Sequence, residues 1–435
     1  MKLWQKENAA PNKEALLVES FTSGKDKEFD ILLAEADVTG SLAHAAMLKQ
    51  IKLISASDFL ALEKELKTIL EKIEAGDFKI EDGIEDVHSQ VEFMLTQELG
   101  EVGKKIHSGR SRNDQVLLDI KLYLRSQLKN LAKEVLSLFE SLQKLSEAHK
   151  EVLLPGYTHM QVAMPSSFGL WFGAFAESLV DDMELLLAAY HVSNKNPLGS
   201  GAGFGSSFPL DRATTTKLLG FESMNHNVVY AQMSRGKTEK VCSFALAGIA
   251  STLSKLAMDV CMYMGQDFNF ISFPDHLTTG SSIMPHKKNP DVFELIRARC
   301  NRIQALPNEL TLLLSNLPSG YHRDLQLTKE CLFPAFENLS SCIKMTNLML
   351  ENISLNRNIL EAPKYKYLWT VEAVNEEVLN GVPFREAYKN VGKAVEDGNF
   401  KFSKPLNHTH AGSMGNLCTS EIKAKMEKLQ STLQT

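Results

Sequence analysis

From Ile120 onward the apolar positions step by three and four: Ile120, Leu124, Leu128, Leu131, Val135, Leu138, Leu142 and Leu145. That period puts all eight on one helical face. It predicts an amphipathic helix of roughly 35 residues, about 50 Å long at ~1.5 Å per residue. Similar patterns recur near 168–190, 241–264, 292–314 and 327–350. Leucines at this spacing are core positions, not a cofactor box. Five such helices predict an all-α fold built on a long-helix bundle. Their apolar faces are too broad for one slim chain to cover, so the pattern also predicts a homo-oligomer.

Outside the bundle the patterns are shorter. Leu62, Leu66, Ile69, Leu70 and Ile73 share a helical face, with Ser57 as N-cap and Gly76 as stop. The tail from about residue 356 reads as short helices with a loop at 407–415. The expected domains are 1–107, an N-terminal helical domain; 108–355, the central bundle; and 356–435, a small C-terminal helical domain.

Composition narrows the function. The chain has 435 residues, 44% hydrophobic and 23% charged, with a net charge of −6. That is globular, and the charge argues against nucleic-acid or anionic-membrane partners. An anionic substrate must be held by local cations. No apolar run reads as long enough to span a bilayer, and the start, Met1-Lys2-Leu3-Trp4, lacks the apolar core of a signal peptide. Cys242, Cys261, Cys300, Cys331, Cys342 and Cys418 form no C-x-x-C pair, which predicts buried free thiols in a reducing cytoplasm.

Four polar clusters interrupt the helical patterns. Gly280-Ser281-Ser282-Ile283-Met284-Pro285-His286-Lys287-Lys288-Asn289-Pro290 joins small flexible residues to cations just before a helix. It reads either as a mobile loop bringing a serine and a lysine to a carboxylate-bearing substrate, or as an ordinary basic turn. His107-Ser108-Gly109-Arg110-Ser111-Arg112-Asn113-Asp114-Gln115 places two arginines near a helix N-terminus, where they oppose the dipole unless they face an anion. Leu153-Leu154-Pro155-Gly156-Tyr157-Thr158-His159-Met160-Gln161 reads as a loop setting Thr158, His159 and Gln161 at the head of the next helix, with Glu294 as a carboxylate to orient His159. Tyr321 to Glu330 opens the last long helix with a further polar run. His88 and Glu92 share a helical face, but no third ligand completes a metal set. The glycine-rich run at 196–207 does not match G-x-G-x-x-G and reads as a close-packed loop.

The 280–290 stretch resembles the signature of the fumarase/aspartase superfamily, Gly-Ser-Ser-x-Met-Pro-x-Lys-x-Asn-Pro. The 107–115 and 156–161 runs, with Tyr321, Arg323-Asp324-Leu325-Gln326 and Lys329-Glu330, are similar to the argininosuccinate lyase family within it, nearly end to end. The resemblance implies a homotetramer with a central twenty-helix bundle, active sites built from three subunits, and reversible anti-elimination of argininosuccinate to arginine and fumarate without metal or organic cofactor. Carried over residue by residue, Ser281 is the base and Lys287 and Asn289 stabilise the aci-carboxylate. His159, oriented by Glu294, helps protonate the leaving nitrogen, and Thr158 and His159 hold the succinyl end. Asn113, Tyr321, Gln326 and Lys329 bind substrate, the last three its arginine-like part. Arg112 and His88 are anion contacts, and Ser23 stands for the family's N-terminal substrate-binding serine.

Three departures accompany the match. Trp4-Gln5-Lys6-Glu7-Asn8 replaces the W-G-G-R-F of many relatives, residues 21–30 run two longer than usual, and Gly236 follows Arg235 where relatives usually carry aspartate. Two other functions stay open: another fumarate-releasing lyase, and a non-catalytic structural relative like the lens crystallins. A helical partner-binding scaffold would explain the leucine spacing but none of the loop clusters.

Overall fold

The computed structural model describes residues 13–434, so the replaced Trp4–Asn8 motif lies outside the described residues. The five long helices span Arg112–Ala148, Phe168–Ser193, Lys237–Met264, Asp291–Leu313 and Thr328–Glu351. Each falls where the three-and-four spacing put it. In the first, seven of the eight stripe residues are at most 2% exposed, and Leu145 is half-buried. Burying each such side chain contributes about 1.5–3 kcal/mol, which outweighs the weak intrinsic preference of an isolated helix.

The chain divides into two compact units. One comprises the residues up to Leu131, with Leu185–Ala247 and Ile303–Asn338; the other comprises Ala132–Glu184, Gly248–Arg302 and the residues from Leu339. All five long helices run from one unit into the other. In the first unit Val38, Leu48, Leu62, Leu66, Ile69, Val91 and Leu95 form a core under the short N-terminal helices. The helix Ala56–Glu74 is capped by Ser55, not Ser57. Ser55 Oγ accepts from the Asp58 N–H at 3.0 Å and Asp58 Oδ2 accepts from the Ser55 N–H at 3.1 Å, a reciprocal box that starts the helix two residues earlier.

A second difference lies between the first two long helices. The expected loop is a β-hairpin, Leu153–Thr158 paired antiparallel with Gln161–Ser167. His159 and Met160 form its two-residue turn with φ of 54° and 59°, the left-handed pair that two-residue hairpins favour. Pro155 is accommodated where the register shifts. Two further sheets are two-residue pairings, Lys195–Asn196 with Ser223–Met224 and Ile271–Ser272 with Ser354–Leu355.

The sequence reading also understated one helix. Lys237–Met264 is long and apolar enough to cross a membrane by length and hydropathy, as is the stretch Ser20–Gln50. More than half of each apolar window is buried within the chain, so that apolar character serves packing.

Candidate active site

In the first unit a cavity of about 270 Å³ opens beside the start of the first long helix. Six residues singled out from the sequence line it: His88, Arg112, Asn113, Tyr321, Gln326 and Lys329. Local folding explains their convergence. Ser111 and Asp114 cap the helix, the Asp114 carboxylate accepting the Ser111 N–H at 2.9 Å and the Ser111 hydroxyl accepting the Asn113 N–H at 3.3 Å. The other Asp114 oxygen accepts the N–H groups of Gly199 and Gly201 at 3.0 and 2.8 Å, so the glycine-rich loop is a cradle for this buried carboxylate. Burial still pushes the Asp114 pKa up to about 6, against the lowering by those N–H donors.

The arginines near the helix start do face anions, and the anions belong to the protein. Arg112 donates to Glu85 Oε2 at 2.7 Å and to Ser89 Oγ at 2.6 Å, with Asp86 Oδ2 at 3.4 Å. Arg323 lies 3.6 Å from Glu85 and donates to the Thr22 carbonyl. Lys329, 1% exposed, is paired with Asp30 and lies 2.9 Å from Asp26. The cavity is thus lined by carboxylates and cations in near balance.

Behind it, His88 Nδ1 contacts Asp37 and Asp119. Burial alone would lower the His88 pKa, but attraction and hydrogen bonding by Asp37, with Asp119 and Asp86, raise it to about 9. Asp37, His88 and Asp119 offer ligand atoms within 4.8 Å of one another. The charged imidazole, with Arg110 facing the same carboxylates, already supplies the positive charge that a cation would bring there. Glu92 takes no part; it lies 3.5 Å from His107.

The second unit holds the remaining candidates except Ser23. Ser281, Lys287 and Asn289 lie on the loop before the fourth long helix, and Glu294 is exposed in that helix's first turn. The Ser281 hydroxyl oxygen accepts the N–H groups of Met284 at 3.2 Å and Ile283 at 3.4 Å. Asn289 anchors the loop base, its N–H donating to the Thr279 carbonyl at 2.8 Å. Lys288 is paired with Asp275, while Lys287 makes no ion pair among the described residues. Thr158 and His159 are exposed at the hairpin tip. Among the described residues no hydrogen bond or ion pair joins His159 to Glu294.

Residues 13–305 match a family model described as lyase. Over 428 residues, 98% of this chain and 95% of the relative, the sequence is 58% identical to an argininosuccinate lyase of Parabacteroides distasonis. It is 57% identical, with the same coverage, to one of Phocaeicola vulgatus. The chain belongs to the argininosuccinate lyase family. Its fold also matches a crystal structure of EDDS lyase in complex with formate, with a TM-score of 0.76, 20% identity, and 98% of this chain and 91% of that chain covered. That likeness concerns the fold alone.

Within this family member, Ser23 ends the helix Lys13–Ser23 and does not line the cavity. Asp30 does line it, and Asp26 stands one helical turn away on Lys329. Sequence reading missed both, together with Glu85, and gave Arg323 a place in a motif but no role in the site. The signal was present in Asp26-Lys27-Glu28-Phe29-Asp30, where two carboxylates four apart share a helical face.

The Gly236 departure has a structural reason. Gly236 has φ +78°, and a Cβ there would lie 2.5 Å from Leu314 Cδ2. Glu239, three residues on, supplies a carboxylate: Oε2 accepts the Gly236 N–H at 2.7 Å and Oε1 accepts from Arg235 Nε at 3.2 Å. Arg235 in turn donates to the Leu325 carbonyl at 3.1 Å and to Gln326 Oε1 at 3.4 Å, which fixes one wall of the cavity.

Proposed function

We propose that the protein cleaves argininosuccinate to arginine and fumarate, reversibly, by anti β-elimination. The observation that carries this is the 57–58% identity to two argininosuccinate lyases over 98% of the chain. The electrostatics agree with it. A cavity in which Lys329, Arg112 and Arg323 stand beside Asp30, Glu85 and Asp86 suits the zwitterionic, guanidinium-bearing part of the substrate. The dianionic succinyl end needs an excess of positive charge, which the 280–290 loop offers through Lys287 and its backbone donors.

Ser281 takes the proton from the carbon next to a succinyl carboxylate. A free serine is far too weak a base, and the two N–H groups directed at its oxygen favour the alkoxide over the hydroxyl. The electron pair then moves into the carboxylate, where Lys287 and Asn289 stabilise the aci-carboxylate. Collapse of that intermediate expels the guanidino nitrogen, which His159, oriented by Glu294, protonates. Thr158 holds the succinyl end, and Asn113, Tyr321, Gln326 and Lys329 hold the arginine side. The steps are proton transfer and charge stabilisation, so the reaction as written uses no cofactor.

The active unit in this reading is a homotetramer with sites shared between subunits. Exposed apolar residues on the long helices support it: Phe244, Met258, Leu295 and Leu312 are 50–67% exposed on a single chain. Sharing also allows His159 and Glu294 to meet from different subunits. None of the six cysteines is in a disulfide, in keeping with a cytoplasmic location, although Cys261, Cys331 and Cys418 are half-buried where the sequence predicted buried thiols.

The test is to add argininosuccinate to the purified protein and follow the ultraviolet absorbance of fumarate with arginine release. Equal amounts of both products are expected. Fumarate from adenylosuccinate or aspartate, with none from argininosuccinate, would overturn the substrate. A solution mass near four chains is expected, and a stable active monomer would overturn the shared site.

A further inference from the structure

The first unit holds another cavity, of about 330 Å³, where the third long helix begins and the fourth ends. Its cations are Arg235, Lys237 and Lys240, its apolar wall includes Leu317 and Leu325, and no carboxylate lines it. Lys237 rests 5.5 Å from the Tyr230 ring, and neither lysine makes an ion pair among the described residues. In a chain of net charge −6, a cationic cavity without acidic lining is a local choice, not a general property of the surface.

Two buried groups point into the same place. Gln232 is 1% exposed, and neither its amide nitrogen nor its amide oxygen has a hydrogen-bond partner in the protein. Arg235 is 3% exposed; its Nε and Nη2 are engaged by Glu239, Leu325 and Gln326, but Nη1 has no partner. Buried polar groups are nearly always hydrogen-bonded, so two such groups lining one cationic cavity mark a place built to receive a ligand.

The chemistry of the lining selects the ligand. A phosphate would use free N–H groups at the helix start, but Glu239 already accepts the Gly236 N–H there. The leucine wall favours a carbon skeleton. At about 330 Å³ the cavity is at the small end of organic ligand pockets, which begin near ~300 Å³. We propose that it is a second binding site for a small organic dicarboxylate. Buried Arg235 and Gln232 take one carboxylate, and Lys237 and Lys240 take the other. Arg235 of this site donates to Gln326 of the substrate cavity, and the two cavities have no lining residue in common.

The inference rests on the proposed function in one respect: the 280–290 loop counts as the first dicarboxylate site. Calorimetric titration of the full-length protein with succinate should give two molecules per chain. The double variant Lys237→Gln/Lys240→Gln should bind one, with argininosuccinate turnover in the absence of succinate within about twofold of wild type. Gln232→Leu should weaken the same site by about tenfold or more and spare the other. A double variant that binds as many succinates per chain as the wild type would overturn the proposal. Inorganic phosphate binding there as tightly as succinate would overturn the dicarboxylate assignment. Failure of the functional reading would appear separately, as no fumarate from argininosuccinate, while the difference in succinate count still tests this cavity.

Discussion

His88 Nδ1 lies 2.7 Å from Asp37 Oδ1 and 3.3 Å from Asp119 Oδ2, and all three side chains are buried. The imidazole is thereby held as a cation: burial opposes the charge, and the surrounding carboxylates overcome it and raise its pKa from 6.5 to about 9. The folded state therefore binds a proton that the unfolded chain has already lost. That stabilisation is complete below pH 6.5 and disappears as pH rises through about 9. Its size is on the order of 3 kcal/mol. Asp119, whose pKa burial raises, acts with the same sign from a lower starting pH. Urea denaturation across this window should show stability falling with pH in the wild type, with a shallower slope in Asp37→Asn. A flat wild-type curve would mean that the imidazole is neutral in the folded protein.

Lys329 lines the cavity, and Asp26 and Asp30 hold it out of solvent. Lys329→Met should destabilise the chain by about 3–5 kcal/mol, because two carboxylates lose their partner in a largely buried place. With Lys329 holding the arginine side of the substrate, as proposed above, it should also raise KM for argininosuccinate more than it lowers kcat, because that part of the substrate does not react. Adding Asp30→Asn should restore much of the stability and none of the affinity. If the double variant were as unstable as the single one, the ion pair would not be the source of the loss.

The sequence made the long helices legible because each buries one stripe through many turns, and a period repeated that often overrides local ambiguity. It made Arg112, Asn113, Tyr321, Gln326 and Lys329 legible through motif. It hid the partners. Nothing local joins Asp114 to Gly199 and Gly201, or Lys329 to Asp26 and Asp30, because those bonds cross 85 to 303 positions and exist only once the helices pack. The hairpin at 153–167 was hidden for a different reason. Pro155 and Gly156 ordinarily end a strand, and the turn residues His159 and Met160 carry none of the Asn-Gly chemistry that announces a two-residue turn. Ser57 misled as a cap because Ser55, two residues earlier, has the same side chain and the better-placed Asp58.

Ser281→Ala removes the hydroxyl oxygen at which the Met284 and Ile283 N–H groups are directed. With that oxygen as base, kcat should fall by about a thousandfold or more, while argininosuccinate affinity measured by calorimetry stays within about threefold. A variant that turned over at the wild-type rate would remove Ser281 from the reaction. Loss of binding as large as the loss of rate would instead make the serine a substrate anchor.

Gly236→Asp, which introduces the residue usual in relatives, should destabilise this chain. At φ +78° a side chain is strained, and its Cβ would meet Leu314 Cδ2 at 2.5 Å and Leu325 Cδ2 at 3.1 Å. Strain and overpacking together cost about 2–4 kcal/mol. The new carboxylate would also stand beside buried Glu239, which already serves both Arg235 and the Gly236 N–H. Displacing Arg235 would loosen its hold on Leu325 and Gln326, so KM should rise along with the loss of stability. Gly236→Ala separates the contributions: it should carry the steric part of the destabilisation without the like-charge part. Denaturant melts of both variants, with KM measured on each, decide the matter. An alanine variant as stable as the wild type would show that Leu314 can move aside, leaving charge repulsion as the whole cost of the aspartate.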